Sequence, residues 1–296
     1  MPRLWAKFRQ GVLATMPAQQ LDTLLDNPAT TQAVGRKILA GLGLDEVMLA
    51  GSGSAPISAE LINWYRRLGL NLLEGYAMTE DFAYSHRSTE TANAPGYVGV
   101  PYADVEVRIA DDGEVLIKSP GQFVGYYKRP DLNAECFTED GFFRTGDLGE
   151  QRTDGLLRLT GRKKELFKTA KGKYVAPAPI ENRLNAHAMI ELAMVSGVGQ
   201  PAPYAVVVLD EHLRPRVGDA DVRARIDAEL GQLLHDLNEG VAAHERLRML
   251  VVAPEPWSIE NGCLTPTMKI KRSRIEASVA AQVDAWYASP GPVVWA

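Results

Sequence analysis

The segment between residues 46 and 80 constrains the fold more than any other part of the sequence. EVMLAGSGSAP predicts a buried strand that enters a loop of small residues, and LNLLEGYAMTE predicts a second strand that enters a turn. Between them, SAELINWYRRLG places Leu61, Ile62 and Tyr65 at helical spacing and stops at Gly69. A strand, a helix and a strand in this order predict an α/β layer with parallel strands. Two short helices are predicted before it, in LDTLLDN and TTQAVGRKILAGLG.

The pattern changes after residue 95. VEVRIADDGEVLIKS alternates apolar and polar residues on both sides of an Asp112-Gly113 turn, which predicts a β-hairpin. Further short strands are predicted in FFRTGDLGE and LLRLTG. This part is therefore expected to form a small β-rich subdomain.

A second change falls at the basic stretch GRKKELFKTAKGKYVAP, which we interpret as a hinge near 162–164. Beyond it we predict a helix in APAPIENRLNAH opened by Pro179 and a long amphipathic helix in ADVRARIDAELGQLLHDLNEG. Strands are predicted in IELAMVSGVG, YAVVVLD and RLRMLVVAP, and a single helix is expected to end the chain. The predicted domains are residues 1–161, part of a larger α/β domain, and residues 162–296, a small mobile α+β domain.

Composition excludes several classes of protein. A net charge of -5 argues against a general nucleic-acid binder. No apolar run approaches the roughly 20 residues that span a bilayer, so we expect a cytoplasmic protein; loose attachment to a membrane surface stays open. Cys136 and Cys263 are expected to be reduced thiols. The scattered histidines, His86 among them, are expected at the surface or at helix caps.

Two short motifs are compatible with nucleotide binding, and each has a structural alternative. The small residues of GSGSAP let a backbone approach a flat ring, or they form an ordinary loop. In EGYAMTE, Tyr76 could stack on a base, Thr79 could bond a phosphate oxygen and Glu80 could hold Mg²⁺. Alternatively, Thr79 and Glu80 begin a helix, where a carboxylate is favourable.

Two further motifs leave the same choice open. Asp147 in FFRTGDLGE belongs to a Gly-Asp turn, which is either structural or accepts the hydroxyls of a ribose. Between residues 162 and 173, six of the seven charged residues are basic. Such a stretch is either a solvated linker or a cationic strip that faces phosphates.

Taken in order, GSGSAP, EGYAMTE, GYYKRPDLNAECFTEDGFFRTGD, LTGRKKELFKTAKGKYVAP and LTPTMKIKR resemble the adenylate-forming superfamily of acyl-CoA synthetases, peptide-synthetase adenylation domains and luciferase. KGKYVAPAPIEN and NGCLTPTMKIKR are most similar to its long-chain fatty acyl-CoA synthetase branch. The resemblance implies a ligase that uses ATP, Mg²⁺ and coenzyme A. In the implied reaction, a fatty acid carboxylate attacks the α-phosphate of ATP to give an acyl-adenylate and pyrophosphate, and the thiol of coenzyme A then attacks the acyl-adenylate to give the thioester and AMP.

The resemblance also implies roles for matching residues. Tyr76 and the GSGSAP backbone would hold adenine, Asp147 the ribose hydroxyls, and Arg162 ribose or phosphate. The implied nucleotide-binding residues are Gly53, Ser54, Ala55, Gly75, Tyr76, Ala77, Met78, Thr79, Asp147, Arg162 and Lys269.

The implied catalytic residues are Lys269, Thr79 and Glu80. Lys269 would bridge the substrate carboxylate and the α-phosphate, and Glu80 would hold the metal. Lys164 would be the hinge about which the small domain swings. Gly172 would line the pantetheine passage, with Lys168 near it.

Three departures from the family pattern matter. Ala77 replaces a glycine, which is tolerable if its backbone φ is negative. Met268 stands where many relatives have glycine. The sequence also contains no phosphate loop of the SSGTTGxPKG type, so it resembles a C-terminal portion of such an enzyme. We therefore expect an exposed apolar face and little or no activity from this chain alone. An acyl-adenylating module that loads a carrier protein, or a non-catalytic nucleotide-binding remnant, is the alternative.

Overall fold

The computed structural model describes residues 2–296 and divides them into two compact units. The N-terminal unit ends at Lys164, and the C-terminal unit begins at Glu165. The boundary predicted from the sequence lies after residue 161, within the same basic stretch.

The N-terminal unit carries its helices mainly before residue 70 and its strands mainly after residue 70. Its helices are α1 (Pro2–Thr15), α2 (Ala18–Asp26), α3 (Thr31–Gly41), α4 (Ala59–Arg67) and α5 (Pro130–Cys136). Its strands are β1 (Ala50–Ser52), β2 (Leu72–Tyr76), β3 (His86–Arg87), β4 (Val100–Pro101), β5 (Glu106–Ile109), β6 (Glu114–Lys118), β7 (Phe143–Gln151) and β8 (Leu157–Arg162).

The C-terminal unit is a smaller α+β structure. Its helices are α6 (Pro177–Leu184), α7 (Ala220–Glu239), α8 (Arg272–Val279) and α9 (Val283–Ala288). Its strands are β9 (Phe167–Lys168), β10 (Tyr174–Val175), β11 (Ile190–Ser196), β12 (Tyr204–Leu209), β13 (Leu250–Val252) and β14 (Val293–Trp295).

The predicted strand–helix–strand unit is confirmed as β1, α4 and β2, with the two strands parallel. The hydroxyl of Ser58 caps α4 by accepting the Leu61 N–H at 3.2 Å. The apolar face of α4 buries Leu61, Ile62 and Tyr65 against the helices that precede β1. This packing fixes the carboxyl ends of β1 and β2 side by side.

The first strand is shorter than predicted. Only Ala50–Ser52 pairs with β2, and β1 is the edge strand of the sheet β1-β2-β3-β4. The preceding residues Val47, Met48 and Leu49 are 39, 99 and 76% exposed. They lie outside the sheet, and their exposure shows that no described element covers them. The unpaired edge of β1 and the three exposed apolar residues beside it form exposed apolar surface, which the sequence analysis expected.

The β-rich subdomain is an antiparallel sheet in the order β5-β6-β7-β8. The predicted hairpin is confirmed, with Glu106 opposite Lys118 and Ile109 opposite Val115. Val115, Ile117 and Leu157 form its core together with Tyr76 from β2. Tyr76 therefore joins the parallel layer to this subdomain.

The C-terminal unit is built on the sheet β11-β12-β13-β14. Strand β12, YAVVVL, is buried along its whole length because helices cover both faces of the sheet. On one face α6 and α7 contribute Ile180, Leu184 and Ile226 to the core, and on the other α8 and α9 contribute Ile275 and Trp286. A strand buried on both faces explains its continuous apolar run.

Two sequence predictions for this unit are wrong. The chain does not end in a single helix, because α9 stops at Ala288, before two closely spaced prolines, Pro290 and Pro292, which cannot continue a helix. The residues that follow form β14, which pairs parallel with β13. In addition, α6 begins at Pro177 rather than Pro179, because the first helical turn tolerates proline at its first position.

No helix in the described part of the chain combines the length and apolar character needed to cross a bilayer. Cys136 and Cys263 are free thiols, as predicted.

A buried ion pair joins the start of α8 to α6. The Arg272 guanidinium donates to both oxygens of Glu181, at 2.6 and 3.0 Å, and to the Val195 carbonyl at 2.7 Å. The Val195 N–H in turn donates to Glu181 at 2.7 Å. The side chains of Arg272 and Glu181 are only 16 and 9% exposed. Removal of one partner would leave the other charge buried without compensation.

We expect Arg272→Met to lower the free energy of unfolding of the C-terminal unit by about 3 kcal/mol, because Glu181 loses its counter-ion. Urea unfolding followed by tryptophan fluorescence measures the change. The control is Arg225→Met, which breaks the exposed pair with Glu229 on α7 and should cost no more than about 0.5 kcal/mol. Equal losses in the two variants would contradict the stabilising role of the buried pair.

Candidate functional site

The carboxyl ends of β1 and β2 bring two predicted motifs together. Because the strands are parallel, with Ser52 opposite Glu74, the loop Gly53–Ala55 starts beside Gly75. A Cβ atom on Gly53 would lie 3.4 Å from the Gly75 carbonyl oxygen, so the two backbones approach closely. Ser54 adopts a left-handed conformation with φ 68°. The structure thus places the GSGSAP loop next to the turn that follows Tyr76.

The carboxylate of Asp147 is the centre of the site. The hydroxyl of Tyr76 donates to Oδ2 at 2.6 Å, and Nε of Arg162 donates to Oδ1 at 2.7 Å. The Asp147 side chain is 8% exposed, whereas that of Arg162 is 63% exposed. The structure therefore joins three of the predicted site residues, from β2, β7 and β8, through one buried anion.

A bulge in β7 presents Asp147 in this position. On β6, Glu114 pairs with Leu148 and Leu116 pairs with Arg144. The one residue between Glu114 and Leu116 therefore lies opposite three residues of β7, which are Thr145, Gly146 and Asp147. Gly146 has φ 71°, a conformation that favours glycine. The Thr145 hydroxyl accepts the Asp147 N–H at 3.1 Å and donates to the β6 backbone. Bulges re-aim side chains in this way beside functional sites.

Burial raises the pKa of Tyr76 well above its ordinary value, and the neighbouring Asp147 carboxylate adds to the shift. The phenol therefore stays protonated and donates to Asp147. The ring itself is 7% exposed, and one neighbour is the His86 ring, 5.9 Å away between centroids. Stacking of Tyr76 on adenine stays a prediction.

Thr79 and Glu80 lie in a single 3₁₀ turn, Thr79–Asp81, that follows β2. Thr79 and Ala77 are exposed and Met78 is half-buried. The Glu80 Oε1 atom accepts a hydrogen bond from the Tyr126 hydroxyl at 2.8 Å, and no described residue donates to its Oε2. Burial, followed by the bond to Glu80, raises the pKa of Tyr126 to about 12. Sequence reasoning missed Tyr126 as the residue that orients Glu80, although it lies in the GYYKRP motif.

The two substitutions at glycine positions have different backbone conformations. Ala77 does not have a positive φ, so the condition for tolerating alanine is met. Met268 does, with φ 63°, a left-handed conformation that costs a residue with a Cβ atom roughly 1–2 kcal/mol. This explains why glycine suits the position before Lys269.

Lys269 follows a tight turn in the C-terminal unit. The Met268 N–H donates to the Thr265 carbonyl at 2.8 Å, and the Thr265 N–H donates to the Lys269 carbonyl at 2.8 Å. An isolated bridge pairs Leu264 with Ile270 at the base of the turn. Lys269 is exposed, and its ammonium forms no ion pair within residues 2–296. The turn therefore presents a solvated cation on an ordered backbone.

The other predicted residues near the unit boundary are also exposed. Lys164 is the last residue of the N-terminal unit. Lys168 and Gly172 belong to the β9–β10 hairpin, where the Lys168 ammonium lies 5.5 Å from the centre of the Tyr174 ring. Gly172 has φ 77° and donates its N–H to the Thr169 carbonyl at 2.9 Å. The positive φ of this turn favours glycine by itself, so the glycine does not indicate that a ligand passes there.

The prediction that His86 lies at the surface or caps a helix is wrong. His86 is 2% exposed because β3 places it opposite Tyr76 in the sheet. Burial lowers its pKa to about 4, so it is neutral, and its Nδ1 lies 2.8 Å from the Ser85 hydroxyl. The scattered histidines gave no periodic signal that distinguishes this one from the others.

Glu74 is a second buried group that sequence reasoning passed over. Burial raises its pKa to about 7, while the Ile57 and Gly96 backbone amides oppose the shift. Its Oε2, the Ser52 hydroxyl and the His86 Nε2 have no hydrogen-bond partner in the part of the chain that the structure describes. These polar atoms lie along β1, β2 and β3, next to Tyr76.

This shift makes stability depend on pH. The folded state holds the Glu74 proton more tightly than the unfolded chain does. Protonated Glu74 therefore contributes fully to the free energy of unfolding below about pH 4.5, and this contribution is lost as pH rises through about 7. We expect Glu74→Gln to gain stability relative to wild type over this window, by on the order of 2 kcal/mol. Urea unfolding at several pH values measures the difference. Glu90→Gln, an exposed control, should track wild type; a pH-independent Glu74→Gln difference would contradict the shift.

We expect Met268→Gly to raise the stability of the C-terminal unit by roughly 0.5 kcal/mol. Relief of the left-handed conformation is partly offset by the greater flexibility of glycine in the unfolded chain. The matched control is Thr267→Gly, at a neighbouring exposed position without a positive φ, which should be destabilising. Thermal unfolding of both variants measures the contrast, and destabilisation by both would refute the strain at Met268.

Two family models identify the class of protein to which this chain belongs. A family model described as AMP-binding enzyme matches residues 2–127, and one described as AMP-binding enzyme C-terminal domain matches residues 165–290. The chain belongs to the AMP-binding enzyme family, which confirms the resemblance drawn from its motifs.

Among its relatives, the chain is 38% identical over 266 residues to a long-chain-fatty-acid–CoA ligase of Mycobacterium bovis, covering 86% of this chain and 44% of the relative. It is 31% identical over 291 residues to human long-chain-fatty-acid–CoA ligase 1, covering 89 and 41%. The AMP-bound A-PCP didomain of carboxylic acid reductase from Segniliparus rugosus superposes with a TM-score of 0.75 at 26% identity, covering 97 and 41%. The chain thus spans less than half the length of these proteins.

Proposed function

We propose that this chain provides the ribose-binding carboxylate and the catalytic lysine of a long-chain fatty acid–CoA ligase. In the proposed reaction, a fatty acid carboxylate attacks the α-phosphate of ATP and pyrophosphate leaves. The thiol of coenzyme A then attacks the acyl-adenylate, and AMP leaves. Similarity to the long-chain ligases of Mycobacterium bovis and human supports this substrate class.

The observation that carries the proposal is the buried Asp147 carboxylate between Tyr76 and Arg162. A carboxylate has about four acceptor positions, and these two contacts use one position on each oxygen. The remaining positions suit the two adjacent hydroxyls of a ribose. The exposed guanidinium of Arg162 beside it suits a phosphate or a sugar oxygen.

Lys269 suits the first chemical step because that step brings together two anions, the carboxylate and the triphosphate. An ammonium that is not committed to a protein carboxylate can offset their repulsion and the charge that develops in the transition state. Lysine carries this charge as a compact group on a flexible stem. Its position beside a tight turn limits the backbone freedom of the loop.

Glu80 is the residue proposed to hold Mg²⁺. In the described residues, no three His, Cys, Asp or Glu side chains form a metal-binding cluster. Mg²⁺ in nucleotide sites is commonly bound by one or two carboxylates together with substrate phosphates, and a single Glu80 with an open Oε2 fits that mode. When bound, the ion would neutralise phosphate charge. The chain's own contribution is the Tyr126 hydrogen bond that orients the carboxylate.

We further propose that these 296 residues alone catalyse adenylation weakly or not at all. The sequence contains no Ser/Thr/Gly-rich phosphate loop, so no such loop holds the pyrophosphate leaving group. The ribose contacts of Asp147 lie within the N-terminal unit and do not require that loop. Nucleotide binding and turnover are therefore separable in this chain.

Binding is tested by calorimetric titration of the purified chain with AMP. We expect Asp147→Asn to weaken binding by about tenfold or more, because hydrogen bonds to a charged group are lost or weakened. The control Asp154→Asn changes an exposed carboxylate in the same β7–β8 hairpin and should leave the affinity unchanged. Equal affinities for wild type and Asp147→Asn would refute the ribose-binding role.

Turnover is tested by ATP–pyrophosphate exchange with a long-chain fatty acid, with and without the upstream half of the Mycobacterium bovis relative. Exchange should be absent or weak without that half. Where exchange appears, Lys269→Ala should reduce it on the order of a hundredfold, while the exposed neighbour Lys271→Ala should not. AMP binding without exchange under both conditions would favour the non-catalytic nucleotide-binding alternative.

A second acceptor is favoured by one observation, the similarity to the didomain of carboxylic acid reductase, which joins an adenylation domain to a PCP domain. An acyl-adenylate can be attacked by the thiol of a carrier's phosphopantetheine as well as by that of coenzyme A. Acyl-CoA release and acyl loading of a carrier, measured in the same reconstituted mixture, distinguish the two acceptors.

A further inference from the structure

We propose that Glu114 is a positioning residue for the nucleotide site. Its one buried carboxylate holds both the bulge that carries Asp147 and the residue that follows Arg162. This inference rests on the proposed role of Asp147 in binding ribose. Glu114 lies on β6, and through its contacts with Gly146 and Lys163 it would act on the backbone next to Asp147 and Arg162.

The first contact is with the bulge. The Gly146 N–H donates to the Glu114 Oε1 at 3.0 Å. A bulge leaves its extra residues without a partner in the strand ladder, and the half-buried Gly146 N–H gains its acceptor from Glu114. Glu114 supplies that partner one residue before Asp147. The carboxylate therefore stabilises the backbone conformation that aims Asp147 at Tyr76 and Arg162.

The second contact is with the end of β8. The Lys163 ammonium lies 3.1 Å from the Glu114 Oε2. Lys163 directly follows Arg162, the last residue of β8, and precedes Lys164, where the N-terminal unit ends. The contact therefore fixes the strand end that bears Arg162, two residues before Lys164.

Burial distinguishes Glu114 from Asp112, the other carboxylate that pairs with Lys163. Its side chain is 4% exposed, and its other cationic neighbour, Arg144, lies at 3.5 Å. By contrast, Asp112 also pairs with Lys163, at 2.6 Å, but is 50% exposed. A solvated pair contributes little, whereas loss of a buried carboxylate leaves the Gly146 N–H unpaired. We therefore assign the positioning role to Glu114 and not to Asp112.

The test uses the complete 296-residue chain and two substitutions of Glu114. Glu114→Met keeps the side-chain length but removes both acceptors, and Glu114→Gln keeps a carbonyl oxygen for the Gly146 N–H. The control is Glu106→Met, which removes an exposed carboxylate on the adjacent strand β5. AMP affinity is measured by calorimetry, and amide hydrogen exchange is measured across the peptide that contains Gly146.

We expect Glu114→Met to weaken AMP binding by about 10- to 100-fold and to accelerate exchange at Gly146. Glu114→Gln should recover part of both losses, which a general loss of stability would not produce. Glu106→Met should behave as wild type. AMP affinity of Glu114→Met within about twofold of wild type, or unchanged exchange at Gly146, would overturn the proposal.

Two further outcomes are also decisive. If the wild-type chain binds no AMP, the proposed function of the site fails, and the exchange of Gly146 alone decides whether Glu114 holds the bulge. If Glu114→Met does not fold, Lys163→Met replaces it as the test, because it removes the partner at Oε2 from a half-exposed position. Lys163→Met should weaken AMP binding severalfold, and an unchanged affinity would overturn the second contact.

Discussion

The pairing of one buried carboxylate decides the arrangement of the N-terminal unit. An ionised group removed from water is tolerated only when hydrogen bonds and opposite charge compensate it. Asp147 obtains both from Tyr76 and Arg162, which lie on strands of two different sheets. The parallel layer, the bulge in β7 and the end of β8 must therefore keep a common geometry. Tyr76 reinforces this geometry through its apolar contacts with the core of the β-rich subdomain.

The C-terminal unit also contains a buried charge that is compensated by a hydrogen-bonded partner of opposite charge. There, Arg272 and Glu181 form the buried pair, and the Val195 backbone satisfies both of them. Arg272 begins α8, three residues after Lys269, so the pair anchors the chain on the far side of the lysine turn. Thr265 anchors the near side through its backbone bonds to Met268 and Lys269. An exposed cation is thus held between two fixed points.

Much of the fold was predictable because its strands and helices carry strong local patterns. The alternation in VEVRIADDGEVLIKS predicted the β5–β6 hairpin, and the helical spacing in SAELINWYRRLG predicted α4. The final strand β14 was not predictable, since its three residues form a strand only by pairing with β13. The buried location of His86 likewise depends on a two-residue strand that local sequence does not mark.

The site was predictable to the extent that its residues lie in recognisable motifs. Tyr76, Asp147 and Arg162 were predicted as nucleotide-binding residues in this way, and the structure joins them by hydrogen bonds; their role in binding stays a proposal. The partners that orient them were not found. Glu114 and Tyr126 act across strands and loops that are distant in sequence, and a single buried glutamate on a strand has no distinguishing spacing. Long-range contacts of this kind are visible only after the chain has folded.

The sharing of Asp147 has a consequence for which sugars the protein would accept in its proposed role. With one position on each oxygen occupied, the carboxylate is best satisfied by a ligand that offers two neighbouring hydroxyls. A 2′-deoxynucleotide offers one and would leave a buried acceptor without a partner, which is the kind of mismatch that proteins reject most strongly. The hydrogen bonds that Tyr76 and Arg162 donate to Asp147 would then make the site prefer ribonucleotides to deoxyribonucleotides.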